Sequence, residues 1–205
     1  LSVAGSGKTM VLTERIIHLI ENGIDPAQLL AITFAKKAVL EIQSRLEKRL
    51  NGNGDRALVC TFHSLGYRIL KAQNHLMPGF RLIHDNEQLS LMRYAMESVN
   101  IEDDPALLMS KVSLAKNDLV SPADLENSTN YKDKKLAKVY SRYEMFKRRK
   151  RLLDFDDLLY LPYQLFKSHG EILARYQNRF HHILIDEFQD SSKVMVELVK
   201  LLSET

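Results

Sequence analysis

The sequence predicts an α/β fold: a parallel sheet flanked by helices, with a mostly helical inserted subdomain. Three observations lead there. Short, almost wholly apolar runs at 29–34 and 57–62 suit strands buried on both faces, and the run at 182–187 restores a strand ending in two acids. Helical periodicity lies between the first two runs, which is the strand–helix–strand alternation of a parallel sheet. From His63 to about Phe180 helical periodicity dominates, reading as an insertion before the sheet resumes.

The elements follow in order. Leu1-Ser2-Val3 reads as the end of a strand, so the chain is expected to be a fragment. An amphipathic helix begins after Thr9, with Leu12, Ile16, Leu19 and Ile20 on one face and Gly23 as its stop. The strand at 29–34 leads to a helix over 36–50, closed by Asn51-Gly52-Asn53-Gly54. After the strand at 57–62 the helical stretch breaks at Pro78-Gly79, near Pro105, at Ser121-Pro122 and near Pro162. Ser121-Pro122 fits an N-cap followed by proline at the first helical position. The strand at 182–187 precedes a terminal helix from about Lys193.

Composition excludes several classes. The single cysteine, Cys60, rules out an intramolecular disulfide framework and any multi-cysteine zinc site. No apolar run approaches the ~18–20 residues that span a bilayer, and no signal-peptide pattern opens the chain. A cytoplasmic protein is therefore expected. His181 and His182 are adjacent on a strand and point to opposite faces, so they do not readily share a metal. The net charge is only +3, but its distribution is uneven. Ten basic residues lie between Lys132 and Arg151 against two acids, Asp133 and Glu144, leaving the rest of the chain mildly acidic. That segment is either a solvated helix face or a phosphate-contacting surface.

Two constellations carry chemistry. Ala4, Gly5, Ser6, Gly7, Lys8 and Thr9 lie between a strand and a helix, where glycines let backbone N–H groups turn around phosphate oxygens. The helix N-terminus adds partial positive charge. Lys8 can reach the β- and γ-phosphates, and the Thr9 hydroxyl can ligate Mg²⁺. The position five before Gly7 is Ser2, where the general phosphate-loop pattern has glycine. Asp186 and Glu187 stand at the C-terminal end of the last strand, where open α/β sheets bind ligands. Their side chains are expected to diverge, Asp186 holding Mg²⁺ and Glu187 polarising the water that attacks the γ-phosphate. A nucleoside triphosphate with Mg²⁺ is thus the expected ligand.

With these residues in view, Ile185-Asp186-Glu187-Phe188-Gln189-Asp190 resembles the D-E-F-Q-D motif of the superfamily 1 DNA helicases similar to UvrD, Rep and PcrA. Ala4 to Thr9 resembles their A-G-S-G-K-T loop, Thr33-Phe34-Ala35-Lys36-Lys37-Ala38 their motif Ia, and Thr61-Phe62-His63-Ser64 their motif Ib. The run from Asp154 to Leu159 and that from Tyr176 to Phe180 also sit where the family has similar segments. Lys36 replaces the family's asparagine, Met10 stands where many relatives have arginine, and Ser191-Ser192 replaces Thr-Asn.

The resemblance implies a RecA-like P-loop NTPase domain, its first part at 1–62 and its second, incomplete, at 181–205, with a helical 1B-like insert at 63–180. It implies catalytic roles for Lys8, Asp186, Glu187 and Gln189, the last linking the γ-phosphate site to conformational change. Thr33, Phe34, Lys37, Thr61, Phe62 and His63 match segments that line a single-stranded DNA path. It implies ATP with Mg²⁺ as the cofactors of a motor that moves 3′→5′ on single-stranded DNA, works at single-strand/duplex junctions, and needs a second RecA-like domain whose arginines reach the γ-phosphate. The 205 residues alone are therefore expected to be inactive. Alternatives are the motor arm of a helicase–nuclease, and a nucleotide-dependent binding switch without processive movement. An RNA-directed motor is a third, because backbone contacts distinguish the sugars poorly.

Overall fold

The computed structural model describes residues 7–50, 52, 54, 56–73 and 78–204, with Lys8 by its backbone alone. The segment before Gly7, including Ala4, Gly5 and Ser6, lies outside the described residues. The chain divides into two compact units, one formed by Leu1–Leu65, Leu165–Ser191 and Val196–Thr205, the other by Gly66–Gln164 and Ser192–Met195.

The first unit holds a three-stranded parallel sheet in the order β2-β1-β5, from β1 (Leu29–Thr33), β2 (Leu58–Thr61) and β5 (His182–Ile185). Every residue of β1 is buried, as expected for the central strand of the three, whereas β5 is only half-buried along its length. Helices α1 (Lys8–Glu21) and α2 (Lys36–Leu50) pack together beside the sheet. Their core joins Leu12, Ile16 and Ile17 to Ile42 and Leu46 and to Leu29, Ala31 and Val59 from the strands. α1 ends in a glycine turn: Gly23, at φ +90°, donates to Ile20 O and Ile24 N reaches back to Leu19 O.

Helix α9 (Gly170–Arg179) belongs with this unit, although the sequence predicts it inside the insert. Gln177 Nε2 donates to Leu201 O at 2.8 Å and Glu204 O at 2.6 Å, tying α9 to the end of α10 (Lys193–Ser203). Such pairing between segments far apart in sequence carries no local signature.

The second unit is built on α4 (Asp85–Glu97), α5 (Pro105–Asn117), α6 (Pro122–Glu126) and α7 (Tyr131–Lys150). Tyr140 and Tyr143 of α7, both fully buried, pack with Met92, Val112 and Leu136. Ser121 caps α6 with Pro122 in its first turn, as the sequence predicts; Asp124 completes a reciprocal capping box, and Pro105 likewise lies in the first turn of α5. Two short strands that it does not predict, β3 (Arg81–Leu82) and β4 (Leu152–Leu153), pair in parallel.

Pro162 is a correction. The predicted break is absent: the proline sits inside α8 (Asp157–Ser168). A proline there withholds the N–H that Leu158 O would otherwise accept four residues on. Gly66, in α3 (Phe62–Ala72), packs against that same carbonyl so closely that a Cβ would lie 1.6 Å from Leu158 O. The helix survives because tertiary packing holds it, and the glycine in α3 makes that packing possible.

Candidate nucleotide site and strand-end surface

Because all three strands run parallel, their C-terminal ends lie along one sheet edge. β5 stops at Ile185, yet Asp186 N still donates to Ile32 O at 2.9 Å, so the acid is held in line with the sheet. Thr9, in the first turn of α1, points its hydroxyl at Asp186 Oδ2 across 3.4 Å, although 177 positions separate them. Thr13, fully buried, donates its hydroxyl to Thr9 O at 2.7 Å and so fixes the turn that carries Thr9. Sequence reasoning misses Thr13. Its only sequence signal is a hydroxyl residue one turn after Thr9, on the apolar face that Leu12 and Ile16 define.

The helix start is arranged for an anion. Gly7 adopts φ +77° and supplies no side-chain cap, and the first turn contains no acidic residue. Among the described residues the opening N–H groups of α1 meet no capping side chain, while the aligned dipole favours negative charge there. The Lys8 side chain lies outside the described residues. The donors present suit magnesium, a hard cation that selects hydroxyl and carboxylate oxygens. Neighbouring ligands of an octahedral Mg²⁺ lie about 3 Å apart, close to the Thr9–Asp186 separation.

Glu187 follows in a left-handed conformation, φ 52° and ψ 42°, and begins a 3₁₀ turn over Phe188–Asp190. The Gln189 amide donates to Glu187 Oε2 and also reaches Asp190 Oδ2 at 3.4 Å. Asp186 and Glu187 are both half-buried, and Gln189 is exposed.

The second candidate set occupies the same edge. Thr33 and Thr61 are register partners at the ends of β1 and β2, both nearly buried. Thr61 Oγ1 accepts from Ser64 N at 3.2 Å and so caps the start of α3. Phe34 and Phe62 meet edge to face, 5.7 Å between centroids. Phe62 is buried, which leaves Phe34, 40% exposed, as the ring open to solvent. Lys37 is exposed on the first turn of α2. His63 is half-buried, and that burial pushes its imidazole down to about 4.

The second unit contains a buried charge cluster that the sequence reading does not single out. Lys116 Nζ lies 2.7 Å from carboxylate oxygens of both Asp154 and Asp157, and Lys147 Nζ lies 2.6 Å from both. Glu144 Oε1 meets the two ammonium groups at 2.8 and 2.9 Å, and Tyr143 donates its hydroxyl to Asp154 Oδ2 at 3.0 Å. The three carboxylates lie within 4.8 Å of one another, close enough to share a cation. Two ammonium groups already pair with all three, leaving a net charge of −1, so the cluster reads as structural. Desolvation alone would lower the Lys116 ammonium, but Asp157, Asp154 and Glu144 hold it well above the usual lysine value. Lys147 therefore leaves the basic surface predicted for 132–151.

Comparison with known proteins places the chain in a family. The family described as "UvrD/REP helicase N-terminal domain" matches residues 1–205. ATP-dependent DNA helicase PcrA of Staphylococcus aureus (strain NCTC 8325 / PS 47) is 38% identical over 208 residues, covering 98% of this chain and 28% of that protein. PcrA of Leuconostoc citreum is 37% identical over 210 residues, with the same coverage of 98% and 28%. The chain thus spans 28% of the length of these curated relatives. It belongs to the UvrD/REP helicase N-terminal domain family.

Proposed function

We propose that this chain is the nucleotide-binding part of an ATP-dependent DNA helicase motor, which couples Mg-ATP hydrolysis to 3′→5′ movement on single-stranded DNA. The observation that carries the proposal is the approach of Thr9 to Asp186 at 3.4 Å. It joins the start of a phosphate-facing helix to the acidic end of a strand far away in sequence.

The parallel sheet with its helices is read as RecA-like, and the helical unit as the 1B-like insert. In this reading Ala4, Gly5, Ser6 and Gly7, with the first N–H groups of α1, receive the phosphates. Lys8 reaches the β- and γ-phosphates. Thr9 and Asp186 hold Mg²⁺, which when bound neutralises phosphate charge. Glu187 accepts a hydrogen bond from the attacking water and orients it. Phe34 offers a stacking face, Lys37 a cation for a DNA phosphate, and Thr33, Thr61, Phe62 and His63 set the edge on which the strand lies. A second RecA-like domain supplies the arginines that complete the site.

Steady-state ATP hydrolysis by the full-length parent, with and without single-stranded DNA, tests this. Stimulated turnover is expected, and Lys8→Ala and Asp186→Asn are each expected to reduce it by about 10²-fold or more. A parent that hydrolyses ATP equally well with Lys8→Ala would contradict the assignment.

A further inference from the structure

The second unit holds a cavity of about 350 Å³, lined by none of the residues assigned above to nucleotide or DNA. That volume lies within the range of small-molecule sites. Its apolar side joins Phe80 and Leu161, both half-buried, to the buried Leu153, and these three pack in one small hydrophobic cluster. Leu152, the other residue of β4, extends that side.

Charge divides the rest of the lining into an inner and an outer part. Lys147 and Asp157, at most 2% exposed, line the cavity together with Glu144, and all three belong to the buried charge cluster. That cluster carries a net charge of −1, so the inner part disfavours a further anion. Arg148 and Arg151 are exposed, and among the described residues neither guanidinium forms an ion pair. Lys71 adds a third cation, its Nζ 5.7 Å from the centre of the Phe80 ring. The two arginines also spring from a fixed backbone. Arg151 N donates to Arg148 O at 3.2 Å, closing α7, and Arg151 O accepts from Arg81 N at 3.0 Å beside the β3–β4 pair. Such preorganisation lowers the ordering cost of binding.

We propose that this cavity binds a small amphipathic monoanion, with its apolar body against Phe80, Leu153 and Leu161 and its charged head held at the mouth by Arg148 and Arg151. An inorganic anion gains nothing from the apolar side. A neutral molecule of the same shape forgoes the charge-assisted hydrogen bonds of two guanidinium groups. A second negative charge on the inner end meets the net charge of the cluster without a counter-ion.

Fluorescence titration of the full-length parent tests this with anilinonaphthalene sulfonate and with its uncharged counterpart, phenylnaphthylamine. Saturable binding of the sulfonate is expected, undiminished by saturating Mg-ADP or by an equal concentration of inorganic sulfate. Arg148→Gln combined with Arg151→Gln is expected to weaken it about 10-fold or more, through lost charge-assisted hydrogen bonds, and to leave the uncharged probe unaffected. Phe80→Ala is expected to weaken both probes. Both arginines are exposed, so their replacement spares the core, and thermal melting checks that each variant is folded. Absence of saturable binding would overturn the proposal, as would sulfonate binding that Mg-ADP abolishes or that inorganic sulfate matches. An unchanged affinity in the double arginine variant would also overturn it, leaving those arginines only to offset the negative end of the α7 dipole.

Discussion

Gly7 and His63 each place a physical constraint on one residue at the candidate site. At Gly7 a Cβ would meet nothing within 4 Å, so its constraint is the backbone, held at φ +77°. Gly7→Ala is therefore expected to destabilise by about 1–2 kcal/mol through conformational strain alone, measurable as a lowered urea midpoint at unchanged m-value. His63 shows the other kind of constraint. Burial keeps its ring neutral in the folded chain down to about pH 4, while the unfolded chain protonates near its ordinary 6.5. Below 6.5 the unfolded state binds more protons, so this contribution to stability is complete above pH 6.5 and is lost progressively down to about pH 4. Unfolding series at pH 7 and pH 5 should show a loss that His63→Gln reduces. An equal loss in the variant would exclude His63 as its source.

Between elements, the second unit depends on charges buried together. α5 contributes Lys116, α7 contributes Lys147, and the β4–α8 connection contributes Asp154 and Asp157, all at most 2% exposed. The two aspartates also cap each other's backbone, Asp154 N to Asp157 Oδ2 and Asp157 N to Asp154 Oδ1, each at 2.9 Å. Removing one cation strands buried carboxylates, so Lys147→Met is expected to cost about 3–5 kcal/mol. Combined with Asp157→Leu it should cost less than the sum of the single changes, because the partners share one network. A double-mutant cycle by urea unfolding checks this, and additive losses would mean the charges act independently. The α3–α8 contact is steric instead. Gly66→Ala drives a methyl group into Leu158 O, an overpacking cost of about 1–3 kcal/mol or more. Thermal unfolding measures it.

At the scale of the whole molecule, the chain spans 28% of the length of its curated relatives, and the proposed motor draws γ-phosphate arginines from a further domain. Such arginines are worth about 10³–10⁵ in rate in related NTPases. Steady-state assays of the 205 residues alone are accordingly expected to show no DNA-stimulated turnover, and robust stimulation would contradict the proposal. Much of the architecture is legible from local pattern. The helix at 36–50 falls where its periodicity and glycine-rich stop put it, and Ser121-Pro122 begins α6 because capping involves neighbours in sequence. The acidic strand end and the helix after Gly7 are legible for the same reason. Other features have signals that are easy to misread. Lys116 and Lys147 each lie four residues beyond a buried apolar position, Val112 and Tyr143, so both continue an inward stripe, yet a lysine ordinarily reads as surface. By itself, then, the sequence determined the order of most elements and the chemistry offered by Thr9, Asp186 and Glu187, since propensities, caps and side-chain donors are properties of short segments. Only the tertiary structure decided that Thr9 meets Asp186, that four charges are buried together, that Pro162 stays within a helix and that Gln189 folds onto Glu187. Each of those depends on which surfaces come into contact, and contact between distant segments is set by packing and desolvation rather than by any local pattern.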